Sequence, residues 1–246
     1  MTDHAEEQKR AAALAALQLV EDGMVLGLGS GSTAEIFLDA LGAKIANGMR
    51  ITGVPTSKRV GELAATRGIP IADLEDVQRI DLAVDGADEI HPRALDLIKG
   101  RGGALLREKL VATTAARFCV IADATKLVAQ LGERFAVPVA VIPFGWRQTA
   151  ERVRALGCEP VLRLNAHATP ESALPGGHSN AAYVSDDGLY ILDCQFGPIA
   201  DPAGLDIALK GVLGVVEHGL FLGLAERAIV ATERGVKIVE PGQAPS

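Results

Sequence analysis

Short apolar segments alternate with helical segments along most of this chain, and this alternation constrains its fold more than any other feature. Strands are predicted at residues 24–28, 50–54, 69–72, 80–84 and 117–122. Helical patterns cover residues 5–20 and 103–113, and two further helices are predicted to begin just after Thr33 and Ser57. Strands that alternate with helices in this way predict a parallel sheet covered by helices.

The pattern changes near Val128. The segments predicted beyond it are short strands and one helix, at residues 137–142 (strand), 146–156 (helix), 160–164 (strand), 181–184 (strand) and 189–192 (strand). Residues 186–188, Asp-Asp-Gly, are typical of a hairpin turn. We therefore predict a small inserted α+β unit over residues 130–206, and we expect residues 212–237 to complete the first sheet.

Polar residues follow several of the predicted strands. The Gly29–Thr33 turn, Asp85 and Lys126 each come directly or closely after a strand end. Ligands of parallel sheets bind beyond the carboxyl ends of the strands. Hydroxyls, carboxylates and a lysine are therefore expected to face one crevice.

The first turn, Gly27-Leu28-Gly29-Ser30-Gly31-Ser32, resembles a dinucleotide fingerprint but departs from it. Ser32 stands where the third glycine is needed, and the next strand offers no acid for a ribose. The phosphate loop of nucleotide hydrolases is excluded as well, since no lysine precedes Ser32. What remains is a hydroxyl-rich turn before a helix, which suits one terminal phosphate. The alternative is an ordinary helix cap, because serine and threonine are favoured there without any ligand.

The stretch from Asp85 to Lys109 combines groups that can move protons on a bound anion. It contains two acids after a strand, Asp85 and Asp88, then Lys99 in a glycine-rich turn, then Glu108 in a leucine-rich helix. Backbone amides and a lysine in such a turn can stabilise an oxyanion. Each feature also has an ordinary explanation: a solvated turn for the acids, a flexible loop for the glycines, and a surface charge run for Glu108 between Arg107 and Lys109.

Composition excludes several classes of function. The chain has 31 acidic and 24 basic residues and a net charge of −7, which argues against a nucleic-acid surface. No apolar run approaches the roughly 20 residues of a membrane helix. Three cysteines without a CxxC pair predict reduced thiols in a cytoplasmic protein. The five histidines form no cluster, so neither a zinc site nor a Ser-His-Asp triad is predicted.

Four motifs in order carry a resemblance to a known family. GLGSGSTA, DGADEI, IKGRGGALLREK and IADATK are similar to the signature segments of ribose-5-phosphate isomerase, type A. ILDCQFGPIADP and GVVEHGLFLG extend the resemblance over nearly the whole chain. Four separate motifs in register are far more specific than any one of them.

The resemblance implies both a fold and an activity. The fold would be a Rossmann-like parallel-sheet domain, residues 1–129 plus 207–246, with an inserted ferredoxin-like α+β domain at residues 130–206. The activity would be the interconversion of D-ribose 5-phosphate and D-ribulose 5-phosphate in the non-oxidative pentose phosphate pathway. It implies no metal and no organic cofactor, a pentose 5-phosphate as the small-molecule ligand, and a homodimer or homotetramer.

The resemblance also assigns roles to residues of this chain. Glu108 falls on the catalytic base, which would act through an enediolate, with Asp85, Asp88 and Lys99 assisting. The substrate-binding segments would contain Ser30, Gly31, Ser32, Thr33, Asp85, Gly86, Ala87, Asp88, Lys99, Gly100, Arg101, Gly102 and Lys126. Two positions depart from the pattern of some members: Arg101 stands where they have glycine, and Ser30 where they have threonine.

Two other functions are compatible with parts of this pattern. A non-catalytic sugar-phosphate sensor would need the phosphate turn without the base, and regulators of that kind also need a DNA-binding segment. An acyl or coenzyme A transferase would use Glu108 as a nucleophile on a thioester. Entry of solvent deuterium into the sugar would favour the isomerase, and a trapped covalent adduct would favour the transferase.

Overall fold

The computed structural model describes residues 2–165 and 181–242, with side chains from Ala5 onward. The α-helices are α1 (Thr2–Leu17), α2 (Ser32–Ala46), α3 (Lys58–Thr66), α4 (Leu105–Thr114), α5 (Trp146–Arg154) and α6 (Pro202–Lys210). The strands are β1 (Val25–Leu28), β2 (Thr52–Pro55), β3 (Leu82–Asp85), β4 (Glu89–His91), β5 (Asp96–Ile98), β6 (Phe118–Asp123), β7 (Val137–Val141), β8 (Glu159–Leu162), β9 (Tyr190–Gln195), β10 (Val215–His218), β11 (Leu220–Phe221), β12 (Arg227–Thr232) and β13 (Gly235–Val239). Within these residues no helix is long and apolar enough to cross a membrane.

A six-stranded sheet forms the centre of the molecule, in the order β13-β12-β6-β3-β1-β2. Its strands are parallel except for the edge strand β13, which pairs with β12 in the antiparallel direction. The inner strands β3 and β6 are buried along their whole length, as expected when helices cover both faces. The predicted parallel sheet is therefore confirmed.

The strand predicted at residues 69–72 is wrong. That segment makes a single parallel bridge, between Gly53 and Ile71. Pro70 accepts a hydrogen bond from Gly53 through its carbonyl but has no N–H to donate. Ile71 is also largely exposed, so no second row of side chains extends the pairing.

Two apolar layers enclose the central sheet. One layer contains α1 and α2, where the alanines Ala12, Ala13 and Ala16 are fully buried. Their small side chains let α1 pack closely against β6 and β12. The other layer contains α4 and the loops around β4 and β5, and Phe221 is its largest fully buried side chain. Close packing of α1 matters for the site, because α1 begins at the edge where the strands end.

A second unit has the element order β7-α5-β8-β9-α6-β10. Its antiparallel sheet has the strand order β10-β7-β9-β8, which is the arrangement of a ferredoxin-like unit. The inserted α+β unit predicted from the sequence is thus present. The turn predicted at residues 186–188 also forms, with Ser185 and Leu189 hydrogen-bonded across it. The segment at residues 181–184 makes only isolated bridges, through Ala182 and Val184.

The chain returns to the central sheet later than the sequence predicted. Strand β10 pairs with β7, with Val215 opposite Val141 and His218 opposite Val139. Only β12 and β13 complete the central sheet. We therefore propose that the inserted unit extends to His218, beyond the predicted boundary at residue 206.

Gly219 connects the inserted unit to a small three-stranded sheet, ordered β11-β5-β4. Its amide donates to the carbonyl of Pro138 on β7 (2.7 Å), and its carbonyl accepts from the amide of Lys99 (2.9 Å). A Cβ atom at this position would lie 2.1 Å from the Lys99 carbonyl oxygen, so only glycine fits. The position of Lys99 is thereby fixed by both units.

Candidate active site

A cavity of about 370 Å³ opens where the central parallel strands end. Almost every residue that the sequence assigned to a substrate site lies on its wall. These residues are Ser30, Gly31, Ser32, Thr33, Gly86, Ala87, Asp88, Lys99, Gly100, Arg101, Gly102, Glu108 and Lys126. The carboxyl ends of β1, β3 and β6 supply most of them, which is the reason the expected crevice forms.

One end of the cavity is suited to an anion. The turn from Ser30 to Thr33 leads into α2, whose first amides and positive dipole end face the turn. Gly31 has φ of 93°, a left-handed conformation that favours glycine. Lys9 of α1 donates to the hydroxyl of Ser32 (2.9 Å), and Lys126 lies on the same wall. Two lysines, several hydroxyls and a helix N-terminus therefore lie on the wall of one cavity.

The hydroxyl of Ser30 has a different role from that of Ser32. Its Oγ lies 2.8 Å from Oγ1 of Thr56, which in turn donates to the carbonyl of Leu28. Its amide donates to Asp85 (2.8 Å). These contacts fix the shape of the turn, so Ser30 holds the turn as well as lining the cavity.

A buried cluster of three charged groups closes the other end of the cavity. Lys99 lies 3.0 Å from Oδ2 of Asp85 and 3.4 Å from Oε2 of Glu108, and it donates to the carbonyl of Gly86 (2.6 Å). Side chains of all three charged residues are at most 5% exposed. The contact with Glu108 lacks hydrogen-bond geometry, so Oε2 of Glu108 is buried without a hydrogen-bond partner.

Burial controls how this cluster holds protons. It raises the pKa of Glu108 to about 7, against the lowering effect of Lys99. Burial also raises the pKa of Asp85, although Lys99 and two backbone amides oppose it. Although burial lowers the pKa of Lys99, the carboxylates of Asp85 and Glu108 together raise it above its ordinary value. Two backbone amides donate to the carboxylate of Asp85, whereas Oε2 of Glu108 has no donor, so the ionised form of Asp85 is the better stabilised of the two.

Asp85, which the sequence assigned to both the catalytic and the substrate-binding residues, does not line this cavity. Its Oδ1 accepts from the amides of Ser30 and Gly86 (2.8 and 2.7 Å), and its Oδ2 faces Lys99. Gly29 covers it so closely that a Cβ atom there would lie 2.3 Å from the carboxyl group. Asp85 therefore joins the anion-binding turn to Lys99 from behind.

The glycine-rich turn between β5 and α4 forms another part of the cavity wall. Gly100 and Gly103 have φ of 104° and 85°. The amide of Arg101 donates to Oδ2 of Asp88 (3.0 Å), which holds that carboxylate against the turn. The guanidinium of Arg101 lies 4.8 Å from the ring centroid of Phe135, where Lys126 also packs (5.4 Å). Arg101 thus points toward the rim and leaves the backbone of the turn on the wall.

Three polar residues of the cavity wall were missed from the sequence: Lys9, Asp123 and Thr125. Lys9 reads as an ordinary charged position of an alanine-rich helix, 23 residues before its partner Ser32. Asp123 and Thr125 lie within the IADATK motif, where the backbone amide of Thr125 donates to Asp123 (2.9 Å). That motif was the available signal for these two residues, and Lys9 had none.

The composition of the wall does not resemble a metal site. Within residues 2–165 and 181–242, no three His, Cys, Asp or Glu side chains are grouped as metal ligands. His167 and His178 lie outside the described residues.

A family comparison matches most of this chain. The sequence model described as ribose 5-phosphate isomerase A (phosphoriboisomerase A) matches residues 52–235. This chain belongs to that family. The ribose-5-phosphate isomerase A of Synechococcus sp. (strain JA-3-3Ab) is 54% identical over 234 residues, 95% of this chain and 96% of the relative. That of Thermomicrobium roseum is 51% identical over 235 residues, 96% and 94% of the two chains.

Solved structures of the ribose 5-phosphate isomerase A family share the fold. The enzyme of Methanocaldococcus jannaschii superimposes with a TM-score of 0.87 at 37% identity, covering 96% of this chain and 99% of that one. A D-ribose-5-phosphate isomerase in complex with phospho-erythronic acid gives 0.89 at 41% identity, with the same coverage. The resemblance stated from four motifs is thus confirmed over the whole architecture.

Proposed function

We propose that this member of the ribose 5-phosphate isomerase A family interconverts D-ribose 5-phosphate and D-ribulose 5-phosphate, with Glu108 as the general base. The observation that carries the proposal is the environment of Glu108. Its carboxyl group is buried at the bottom of the cavity, its pKa is raised to about 7 by burial, and one of its oxygens has no hydrogen-bond partner. A general base works best when its pKa lies near the working pH.

The reaction moves a carbonyl group from C1 to C2 of the open-chain sugar. The carboxylate of Glu108 removes the proton on C2, and the electron pair of that bond forms the C1–C2 double bond of an enediolate. Protonated Glu108 then returns a proton to C1, while the proton on O2 passes to O1. Asp88 on the cavity wall is placed to carry this oxygen-bound proton. Atoms balance without any co-reactant.

The negative charge of the enediolate requires fixed donors. Lys99 lies against both Glu108 and the cavity wall, and its pKa is raised, so it remains a cation throughout the reaction. Burial keeps water away from this end, which strengthens each electrostatic contact. Asp85 acts from behind the wall by holding Lys99 in place.

The phosphate group would bind at the opposite end of the cavity. Ser32, Thr33, Lys9 and Lys126 offer hydroxyls and cations there, and α2 adds its N-terminal amides. Holding the phosphate fixes C1 and C2 against the carboxylate of Glu108. The relative solved in complex with phospho-erythronic acid supports a phosphorylated sugar derivative as the ligand of this cavity.

The test is an aldose–ketose assay with ribose 5-phosphate, run in deuterium oxide with the product examined by NMR. We expect ribulose 5-phosphate to form and solvent deuterium to appear at C1. Unphosphorylated ribose serves as the control and should react far more slowly. Failure to form ribulose 5-phosphate would overturn the proposal in favour of the sensor. A covalent adduct formed when Glu108 reacts with a thioester would overturn it in favour of the transferase.

Three calls from the sequence stay predictions. A homodimer or homotetramer is supported by two largely exposed apolar side chains, Ile207 and Leu213. A cytoplasmic location is supported by three cysteines that remain free thiols. The roles of Glu108, Asp88 and Lys99 are supported by their positions on the cavity wall.

A further inference from the structure

We propose that Arg163 of the inserted unit is a positioning residue for this isomerisation, because it aims the backbone amide of Gly102 at the enediolate oxygen. The inference rests on the proposed function and concerns a residue that neither lines the main cavity nor belongs to a motif named above. The contacts that matter involve three consecutive carbonyl groups in the glycine-rich turn, those of Gly100, Arg101 and Gly102.

All three of these carbonyls accept hydrogen bonds from the inserted unit. Arg163 donates through Nη1 to the carbonyls of Gly100 (2.9 Å) and Arg101 (3.0 Å). Tyr183 donates through its hydroxyl to the carbonyl of Gly102 (3.2 Å). The turn joins β5, which ends just before Lys99, to α4, which carries Glu108. Its orientation therefore depends on side chains from a different unit.

The geometry of the peptide bond converts these contacts into a direction for the amides. In a trans peptide the C=O and N–H bonds point in opposite directions. The carbonyl of Gly100 points to Arg163, and the amide of the same peptide, that of Arg101, donates to Asp88 on the cavity wall. In the next peptide, the carbonyl of Arg101 accepts a hydrogen bond from the same guanidinium. Its amide is that of Gly102, which must also point away from Arg163 and toward the cavity.

The guanidinium of Arg163 is itself held rigidly. Its Nε donates to Oδ2 of Asp193 (2.9 Å) and its Nη2 donates to Oδ1 of the same carboxylate. Its carbon centre lies 5.9 Å from the ring centroid of Tyr183. The side chain is only 15% exposed, and its charge is balanced by Asp193. A planar group with fixed donors can serve the carboxylate and two carbonyls together, whereas the single ammonium of lysine cannot.

Apolar packing does not hold the turn on this side. A second cavity of about 330 Å³ lies between the turn and the inserted unit, lined by Asp88, Arg101, Phe135, Ala136, Pro138, Arg163 and Asp193. A Cβ atom at Gly102 would meet nothing within 4 Å. Hydrogen bonds hold the two peptides instead: the Gly100 carbonyl accepts from Arg163 and from the amide of Gly103 (2.9 Å), and the Arg101 carbonyl accepts from Arg163. The second cavity offers room for a free guanidinium ion.

The experiment compares Arg163→Ala with Arg154→Ala. Arg154 is a matched control, since it is also bidentate to a carboxylate of the inserted unit, Glu159, but touches no part of the turn. We expect kcat of Arg163→Ala to fall roughly 10- to 100-fold, as when one oxyanion donor is lost. KM should change less than about threefold, because the phosphate end is untouched, and guanidinium chloride at millimolar concentration should restore part of kcat. The Arg154→Ala variant should show neither effect.

Two further readouts keep the proposal testable. The pH midpoint of kcat/KM should stay near that of the wild type, because Glu108 is not contacted; a shifted midpoint would indicate general disruption and overturn the proposal. Arg163→Lys should fold even if Arg163→Ala does not, and it should also lose kcat without a large rise in KM. An unchanged kcat in folded Arg163→Lys and Arg163→Ala would overturn it as well.

A spectroscopic test separates this proposal from the proposed function. In protein labelled with ¹⁵N-glycine, the amide signal of Gly102 should shift when phospho-erythronic acid is added to the wild type. It should shift much less in Arg163→Ala. A wild type that binds this compound with the Gly102 shift but converts no ribose 5-phosphate would refute the function alone. An active wild type without that shift would refute the role of Arg163 alone.

Discussion

Two neighbouring residues of α4 end in two buried charge clusters with opposite properties. Glu108 points into the cluster with Asp85 and Lys99 at the bottom of the cavity. Lys109 points into a second cluster, where it donates to Glu217 and to the carbonyl of His218, both at 2.7 Å. Both clusters contact the ring of Phe221, whose centroid lies 5.6 Å from Nζ of Lys99 and 4.9 Å from Nζ of Lys109.

Charge balance is the difference between them. In the second cluster Lys109 pairs with Glu217, and Lys210 pairs with Asp206. Although burial raises it, Lys109 and the His218 amide hold the pKa of Glu217 below its usual value. Burial lowers the pKa of His218 to about 4, so its ring stays neutral there. The cluster of Asp85, Lys99 and Glu108 has two buried carboxyl groups for one lysine, so the two carboxyl groups compete for one positive charge.

One turn of α4 therefore carries both Lys109, which forms an ion pair with Glu217, and Glu108, whose pKa is raised. A balanced, hydrogen-bonded cluster in a low dielectric is rigid but chemically inert. An unbalanced one is costly, and the cost appears as the raised pKa of Glu108. We therefore expect the two clusters to have separate roles, one in activity and the other in stability. Four measurements can test this division.

The largest effect is expected from Glu108→Gln. Without a base, kcat should fall by about 10²- to 10⁴-fold. The free energy of unfolding at pH 8 should not fall, because the variant removes a buried carboxylate that folding does not favour. Parallel rate measurements and urea melts check both parts; near-normal turnover would remove Glu108 from the mechanism.

The second largest effect is expected from Lys109→Met, and it should lower the free energy of unfolding with little change in kcat. It leaves Glu217 buried without its partner, which should cost about 3 kcal/mol or more of unfolding free energy. The kcat of the folded fraction should stay within about threefold. Lys210→Met is the control, since Lys210 is half exposed, and it should cost less than about 1 kcal/mol. Loss of kcat without loss of stability in Lys109→Met would contradict the division between the clusters.

A smaller effect is expected in the pH dependence of stability. The pKa of His218 is about 4 in the folded protein, against an ordinary value of 6.5. The unfolded chain therefore binds this proton first, and stability should decline as pH falls from 6.5 toward 4, by up to about 3 kcal/mol from this residue. His218→Gln should flatten that decline in urea melts at several pH values, and an identical slope in both proteins would count against the neutral ring.

The smallest effect is expected in the pH dependence of rate. Because the carboxylate form of Glu108 is the base, kcat/KM should rise with pH and level off above about 7. Below that value it should change about tenfold per pH unit. His218→Gln should leave this profile unchanged, since the second cluster does not take part in the reaction. A plateau that already begins near pH 5 would mean that Glu108 is not the titrating base.

The sequence predicts those parts of the molecule that depend on local patterns. The strand–helix alternation and the turn before α2 depend on residues that are close together in the sequence. The parallel sheet and the hydroxyl-rich turn could therefore be predicted from them. Glu108 could not be placed in this way, because Arg107, Glu108 and Lys109 read as one charged run. In the structure they diverge, and Arg107 pairs with Asp187 of the inserted unit at 2.8 Å.

Contacts between distant segments explain the other failures. Lys9 reaches Ser32 only because the buried alanines bring α1 close to the sheet. Strand β10 joins the inserted sheet because β7 offers a free edge there, although the sequence from Gly214 to Gly223 reads as one apolar segment. The sequence assigned Asp85 to the substrate-binding segments. A motif indicates which residues lie near a ligand, but it does not show which of them lie behind the cavity wall.

Gly219 shows that the inserted unit cannot be treated as a detachable module. The chain leaves the insertion at this residue, and the same residue bonds to the amide of Lys99. Replacing the insertion by a short linker would remove the hydrogen bond from Gly219 to Pro138 together with Arg163 and Tyr183. The backbone at Lys99 therefore depends on a residue whose own amide is held by Pro138 of the inserted unit.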